Sequence, residues 1–335
     1  MREKRAAVRT ALMTLVSCPA DRLADAAEAA LTADVVAHCA FPIGTLEGRD
    51  AVIEGFLKPL RAALLPTRRR DEIFIGGDNR RSIGGYWTAS VTHYIGCHRA
   101  SFCGAEPSGK LAFLRSGEFH EVADDGRIRR AHILFDLPDL MRQAGRSPFP
   151  LELGTEMLFP SPETHDGVCP PPAADDALTI VERMFAGLHA YDPKTFASEG
   201  QVGANGTWAD DFMWYGPGGI GSNMGWDGFV RDHRSSFLVA FPDRKGGNHY
   251  CRISDGNYAA VSGWPSMTMT HAGPYLGLPA TQNALTLNVM DFYRVADGKI
   301  AENWVFLDYG DLYRQMGGDL FGTQASAPAM ALVGE

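Results

Sequence analysis

The residues with chemistry to offer sit in a segment that the chain carries twice. "GKIAENWVFLDYGDLYRQMG" runs from Gly298 to Gly317, and "GRIRRAHILFDLPDLMRQAG" runs from Gly126 to Gly145. The two agree at eight of twenty positions, and Asp308 and Asp136 are among them. On a strand, alternate side chains share a face. Ile300, Glu302, Trp304, Phe306 and Asp308 then line up together, as do Ile128, Arg130, His132, Leu134 and Asp136. If that face looks toward packed helices, each Asp lies inside an apolar pocket. Burial disfavours a charged carboxylate and raises its pKa toward values useful to a general acid/base. Trp304 and Phe306 would supply the apolar wall. A helix cap is the structural alternative, because each Asp precedes a short helix whose first N–H groups need acceptors. Asp311 and Asp139 compete for that cap, and Pro138 suits a first helical turn. Both readings stay open on these residues.

Other side chains join the candidate site. His271 and His93 fall at the end of a long strand in each copy. His271 or Tyr275 would be a hydrogen-bond donor near Asp308. Trp214, Tyr215, Trp264 and Tyr275, with His132 and His93, would wall a pocket for a flat ligand, ordinary core packing being the alternative. The glycine-rich "YGPGGIGSNMGWDGF" from Tyr215 to Phe229 hints at phosphate binding, but its glycines lack the dinucleotide spacing. It is expected to rim the pocket. His93, Cys97, His98 and Cys103 lie close enough to suggest zinc. The second copy has Thr270, His271 and no cysteine in that region, so no metal is expected.

The elements that must position these residues repeat as well. "EFHEVADDG" (Glu118 to Gly126) matches "DFYRVADG" (Asp291 to Gly298), and "GRDAVIEGF" (Gly48 to Phe56) resembles "GWDGFVRDH" (Gly225 to His233). The repeat is a whole domain, too long for a solenoid unit. Helices are expected at 3–17 and 20–31, and again at 175–190 and 193–200. A short strand follows at 34–40 or 211–215, then a helix at 49–64 or 226–240. Long antiparallel strands come last, in the second copy at 247–254, 257–271, 283–295 and 299–308. That order predicts an α+β fold: two tandem cone-shaped domains with helices on one face of a curved, mostly antiparallel sheet. The expected division is 1–147, a proline-rich linker 148–173, 174–322, and a loosely ordered tail 323–335.

The run from Gly298 to Gly317 resembles the end of the SnoaL-like polyketide cyclases, in the nuclear transport factor 2-like superfamily. It has the Gly-Lys-Ile turn, a Glu and a Trp on the strand, the Asp, and a Leu-x-x-Gln-x-Gly helix. "FCGAEPSGK" (Phe102 to Lys110) is similar to the family's turn between long strands. The resemblance implies two fused copies of a helix-and-sheet cone. It implies cofactor-free ring closure by aldol chemistry on a small apolar carbonyl compound, with Asp308 and Asp136 as the acid/base. Domain one departs at Arg130 and His132, where domain two has Glu302 and Trp304. The alternatives are a non-catalytic ligand-binding or scaffold protein of the same fold, and a dehydratase or isomerase.

Bulk properties narrow the partners. The chain has 335 residues, 45% of them hydrophobic, and a formal net charge of −9. A nucleic-acid partner would need a positive surface. No run approaches the length that spans a membrane. The six cysteines show no paired spacing, and a cytoplasmic protein is expected. Residues 1–150 hold 21 Lys+Arg and 18 Asp+Glu, whereas residues 151–335 hold 10 and 22. Opposite balances favour docking of the halves as an intramolecular pseudo-dimer, with a further homodimer left open.

Overall fold

The computed structural model describes residues 2–154, 158–173, 176–188, 190–198, 200–322 and 325–326. The first unit opens with helices α1 (Arg2–Ser17) and α2 (Leu23–Ala30). Strands β1 (Leu31–Cys39) and β2 (Gly44–Glu47) follow. Helices α3 (Arg49–Val52) and α4 (Lys58–Ala63) are joined through a π-turn at Ile53–Leu57. Long strands complete it: β3 (Leu64–Asp78), β4 (Tyr86–His98), β5 (Leu111–Val122) and β6 (Ile128–Phe135), then α5 (Leu137–Gln143) and β7 (Arg146–Ser147). The sheet order is β2-β1-β6-β5-β4-β3, antiparallel except that β1 runs parallel to β6. Helix α1 shows why a helix forms here. Its buried residues Arg5, Val8, Leu12, Leu15 and Val16 fall on one stripe at helical spacing.

The second unit repeats the plan. It comprises α6 (Ala177–Leu188), β8 (Trp208–Tyr215), β9 (Ser222–Met224), α7 (Gly225–Phe229), α8 (Ser235–Ala240), β10 (Cys251–Asp255), β11 (Tyr258–Thr270), β12 (Ala284–Ala296), β13 (Lys299–Leu307) and α9 (Tyr309–Gln315). Its sheet order, β10-β11-β12-β13-β8-β9, is the same path, again with one parallel pair, β8 and β13. The hairpin between β12 and β13 turns at Asp297 and Gly298, both with positive φ (50° and 72°), as a tight two-residue turn requires. The protein is thus α+β, with two helix-plus-six-strand units.

Two expectations need correction. No helix forms at 193–198. Asp192 instead accepts from Lys194 N at 2.8 Å and Thr195 Oγ1 at 3.0 Å, and Phe196 turns back with a φ of 56°. A short polar side chain bonding its own backbone competes with helix. The strand expected at 247–254 is also shorter, since β10 covers only Cys251–Asp255, five residues against 15 in its counterpart β3. Of the expected tail, 323–335, only Ala325–Ser326 (β14) are described, and they pair with β7.

The units pack sheet against sheet. The Phe306 ring lies over Gly117, where a Cβ would come within 2.6 Å of it, and Phe119 meets Phe292 at 5.5 Å between ring centres. Basic residues of the first unit meet acids of the second: Arg5 bonds Asp255, and Arg80 bonds Asp176. Asn79 bridges the sheets, donating to Tyr250 O at 2.9 Å and accepting from Arg252 N at 3.1 Å. The linker lies along this seam. Phe74 N donates to Gly167 O at 2.9 Å, and Cys169 N donates to Phe74 O at 2.8 Å.

Candidate functional site

The repeated aspartates are joined to the opposite unit. Asp308 caps α9 by accepting from Asp311 N at 3.3 Å, and Asp136 caps α5 by accepting from Asp139 N at 3.1 Å. Each then reaches across the seam. Asp136 accepts from Gly218 N with both oxygens, at 3.1 and 3.0 Å, and Asp308 accepts from Phe41 N at 3.4 Å. His38 pairs with His132 and Tyr215 with Trp304, so Phe41 and Gly218, each three residues further on, hold equivalent places. The contact is therefore reciprocal. Burial raises the pKa of Asp308 to about 6, offset in part by its N–H donors, Asn288 among them at 3.3 Å. Asp136 is raised as well, mainly by burial, with Arg115 opposing.

The face bearing Trp304, Phe306 and Asp308 looks at the other sheet and the linker. The sequence reading allowed it to look at helices, and the structure corrects that. Trp304 Nε1 donates to Pro160 O at 2.9 Å, and Tyr215 OH donates to Glu302 at 3.0 Å. His132 stacks on Trp264 at 5.3 Å across the seam, and His93 meets the linker ring of Phe159 at 6.3 Å. Two expected residues lie apart from these. His271 is fully buried, with Nδ1 3.0 Å from Thr281 Oγ1. Tyr275 OH sits 2.9 Å from Tyr309 OH. The glycine-rich loop docks on α5, since a Cβ at Gly218 would lie 2.8 Å from Asp139 N.

The opposite, helix-covered faces hold a different pair of carboxyls. Glu118 and Asp291 are equivalent, pairing with Ile133 and Val305 beside the matched Phe119 and Phe292. In the first unit, Glu118 accepts from Arg69 Nη1 at 2.7 Å and Tyr94 OH at 2.6 Å, and Arg69 also bonds Asp71 at 2.8 Å. Burial works against the charge on Glu118, but Arg69, His120 and these bonds bring its pKa below the ordinary value. Burial pushes His120 down to about 4. Leu12, Val16 and Phe56 close over the network, leaving about 40 Å³, room for a water at most. This cone is filled.

In the second cone no arginine offsets the charge of Asp291 as Arg69 offsets that of Glu118. Burial lifts Asp291 to about 7, partly offset by the neighbouring Asn303 and Tyr293 side chains. Asn303 lies opposite Tyr293 on β13, and Trp214 lies beside Asn303 on β8. Trp214 stacks on the His233 ring at 4.6 Å, and Phe185 of α6 meets Tyr293 at 6.3 Å, which places this face under the helices. Burial pushes His233 down to about 3, with Arg234 and Arg244 adding to the effect. Asp291 and His233 are enclosed by protein yet keep some accessible surface. A carboxyl near neutral pKa beside an amide, a phenol and aromatic walls can exchange a proton with a bound carbon acid. Trp214 is the expected site residue found here. The others were missed, although "EFHEV" against "DFYRV" carried the signal.

Residues 195–316 match the SnoaL-like polyketide cyclase family, and this stretch is a SnoaL-like domain. A proposed SnoaL-like polyketide cyclase from Jannaschia sp. CCS1 aligns at 16% identity over 42% of this chain and 90% of its own, with a TM-score of 0.35. A proposed polyketide cyclase from Xanthomonas campestris pv. campestris aligns at 20% over 43% and 98%, with a TM-score of 0.32. A proposed isomerase from Rhodopseudomonas palustris aligns at 18% over 41% and 91%, with a TM-score of 0.31. No curated protein matches the sequence. Among the described residues, no helix is long and apolar enough to cross a membrane.

Proposed function

We propose that the second unit performs acid/base chemistry on a small, largely apolar carbonyl compound, with Asp291 as the group that moves the proton. The observation that carries this reading is the position of Asp291 on the helix-covered face of the second sheet, beside Tyr293 and Asn303, where burial raises its carboxyl to about 7. At neutral pH such a group is present in both forms, which suits a base that must also return its proton. In the reaction, the Asp291 carboxylate takes a proton alpha to the carbonyl. Tyr293 and Asn303, whose side chains neighbour Asp291, would donate to the developing enolate. The enolate carbon then attacks a second carbonyl of the same molecule, closing a ring as an aldol, or is reprotonated elsewhere as an isomerase would do. Membership of residues 195–316 in the SnoaL-like family supports the cyclase outcome. No cofactor enters this scheme.

Asp308 and Asp136 are assigned instead to capping and docking, because their oxygens are occupied by N–H donors from two units. The first unit is a support, its cone filled by the Arg69–Glu118 network.

The test needs no knowledge of the natural substrate. Exchange of alpha protons for deuterium is followed by NMR on a panel of aryl ketones and β-keto esters. Asp291→Asn should abolish the exchange, whereas Asp308→Asn should keep it. Exchange that survives in Asp291→Asn and disappears in Asp308→Asn would reverse the assignment.

A further inference from the structure

The pseudo-symmetry of the seam creates two equivalent clefts, and the linker fills only one. In the filled cleft, Phe159 lies 5.1 Å from Phe306, 6.5 Å from Tyr215 and 6.3 Å from His93. The next residue, Pro160, accepts from Trp304 Nε1, and Glu163 N donates to Glu302 at 3.2 Å. The equivalent cleft is built from His38 for Tyr215, His132 for Trp304 and Arg130 for Glu302. Trp264, in the bulge between Gly263 and Met267, stands near the place of His93. The linker contacts described above all lie on the other side. This second cleft is open to solvent, with about 320 Å³ between Val36, His38, Arg130, His132, Tyr250 and Trp264.

Its floor is an aromatic stack, in which His38 and Trp264 lie 6.2 Å apart with 39° between their planes. His38 stacks on His132 at 4.7 Å, and His132 stacks on Trp264 at 5.3 Å with 16° between planes. Trp264 and His38 are only half-buried, and both line the open cleft. The charge is the reverse of that in the filled cleft. Glu302 there is tightly bonded to Arg294, whereas Arg130 has Glu121 only at 3.6 Å and an exposed fraction of 36%. The filled cleft accepts a ring, a carbonyl and a donor. The open one has space for a ring and a cation seeking an anion. Its volume suits a small molecule.

We propose that this cleft binds a small planar aromatic carboxylate, its ring against Trp264 and His38 and its carboxylate on the Arg130 guanidinium. The site lies on the opposite face of the sheets from the cone that holds Asp291, so it is a second ligand site, independent of the proposed chemistry. Ring stacking supplies affinity, and the charge-assisted bond to Arg130 supplies the choice of acid over neutral analogue.

The probe is 2-naphthoate, followed by quenching of tryptophan fluorescence on the full chain. One saturable site is expected. The neutral analogue 2-naphthalenemethanol should bind roughly tenfold more weakly, the scale of one charge-assisted bond. Arg130→Met should weaken 2-naphthoate by roughly the same factor and leave the neutral analogue unchanged. Trp264→Leu should weaken both. Arg130 is at the surface, so its variant should melt as the parent does, and it decides the matter if Trp264→Leu unfolds. Absence of saturable binding would overturn the proposal. So would binding that Arg130→Met leaves intact, or binding lost in Asp291→Asn, which would put the probe in the cone.

Discussion

The Gly218 amide, in the second unit, donates to both carboxylate oxygens of Asp136, in the first, at 3.1 and 3.0 Å. The same carboxylate caps α5 through Asp139 N. One side chain thus ends a strand, starts a helix and fastens the neighbouring unit. Its repeat partner, Asp308, does the same toward Phe41. A residue can be kept in both copies because both sides of a two-fold seam need the same contact.

Gly218→Ala tests that contact. The added Cβ would lie 2.8 Å from Asp139 N and 2.9 Å from Pro138 Cβ, atoms of a helix start that cannot swing away. Overpacking of this kind costs about 1–3 kcal/mol. Urea unfolding should show that loss. An unchanged midpoint would mean that the loop gives way freely and the docking is weak.

Asp308→Asn should act on stability far more than on turnover. An Asn can still cap α9 with its carbonyl oxygen. Its NH₂ would then face Phe41 N and Asn288 Nδ2, two donors that Asp308 Oδ2 now accepts. Losing those partners should cost about 1 kcal/mol. Alpha-proton exchange should continue at the parent rate. A loss of exchange with unchanged stability would return the acid/base role to Asp308.

The duplication was legible because similar turns and caps recur in the same order at offsets of 172 to 177 residues, and the α+β order followed from the spacing of helices and strands. The orientation of the last strand was not. In β13 every residue from Glu302 to Leu307 is buried. Alternation tells inside from outside only when one face meets water. Here Trp304 and Phe306 pack on a sheet, and Asn303 and Val305 face helices. The apolar side chains beside Asp308 were real, but they belong to the seam. The acid that does lie under the helices, Asp291, stood in the matched "DFYRV" and was used only to align the copies. The closed first cone was hidden for another reason. It depends on Arg69 from β3 meeting Glu118 from β5, a pairing that no local pattern shows.

Phe159→Ala should loosen the whole seam. The ring packs on Phe306 and Tyr215, and the Arg115 guanidinium lies over it at 4.7 Å. Removing a buried Phe of this kind costs about 3 kcal/mol or more. The variant should unfold at lower urea, and the linker should become a site of rapid proteolysis. Resistance equal to the parent's would show that backbone pairing of Phe74 with Gly167 and Cys169 holds the linker without the ring.

The last prediction follows from the sign of the Asp291 shift. Its folded pKa, about 7, lies above the ordinary value of 3.8, so the folded chain holds this proton more tightly than the unfolded chain does. Between roughly pH 4 and 7 the folded state binds more protons at this site, so its contribution to stability falls as pH rises. The full penalty is present above pH 7 and absent below pH 4. His233 and His120, lowered to about 3 and 4, act with the opposite sign, favouring the fold as pH rises toward 6.5. The parent curve therefore mixes the two, and the informative quantity is the difference between Asp291→Asn and the parent, since both keep the histidines. Asn cannot ionise, so the variant should melt several degrees above the parent at pH 8 and no higher at pH 4. The two melting curves should separate progressively between about pH 4 and 7, and the alpha-proton exchange of the parent should rise around the folded pKa of about 7 as the carboxylate forms. A constant difference across pH would mean that Asp291 keeps an ordinary pKa, and the proton-transfer role assigned to it would fall.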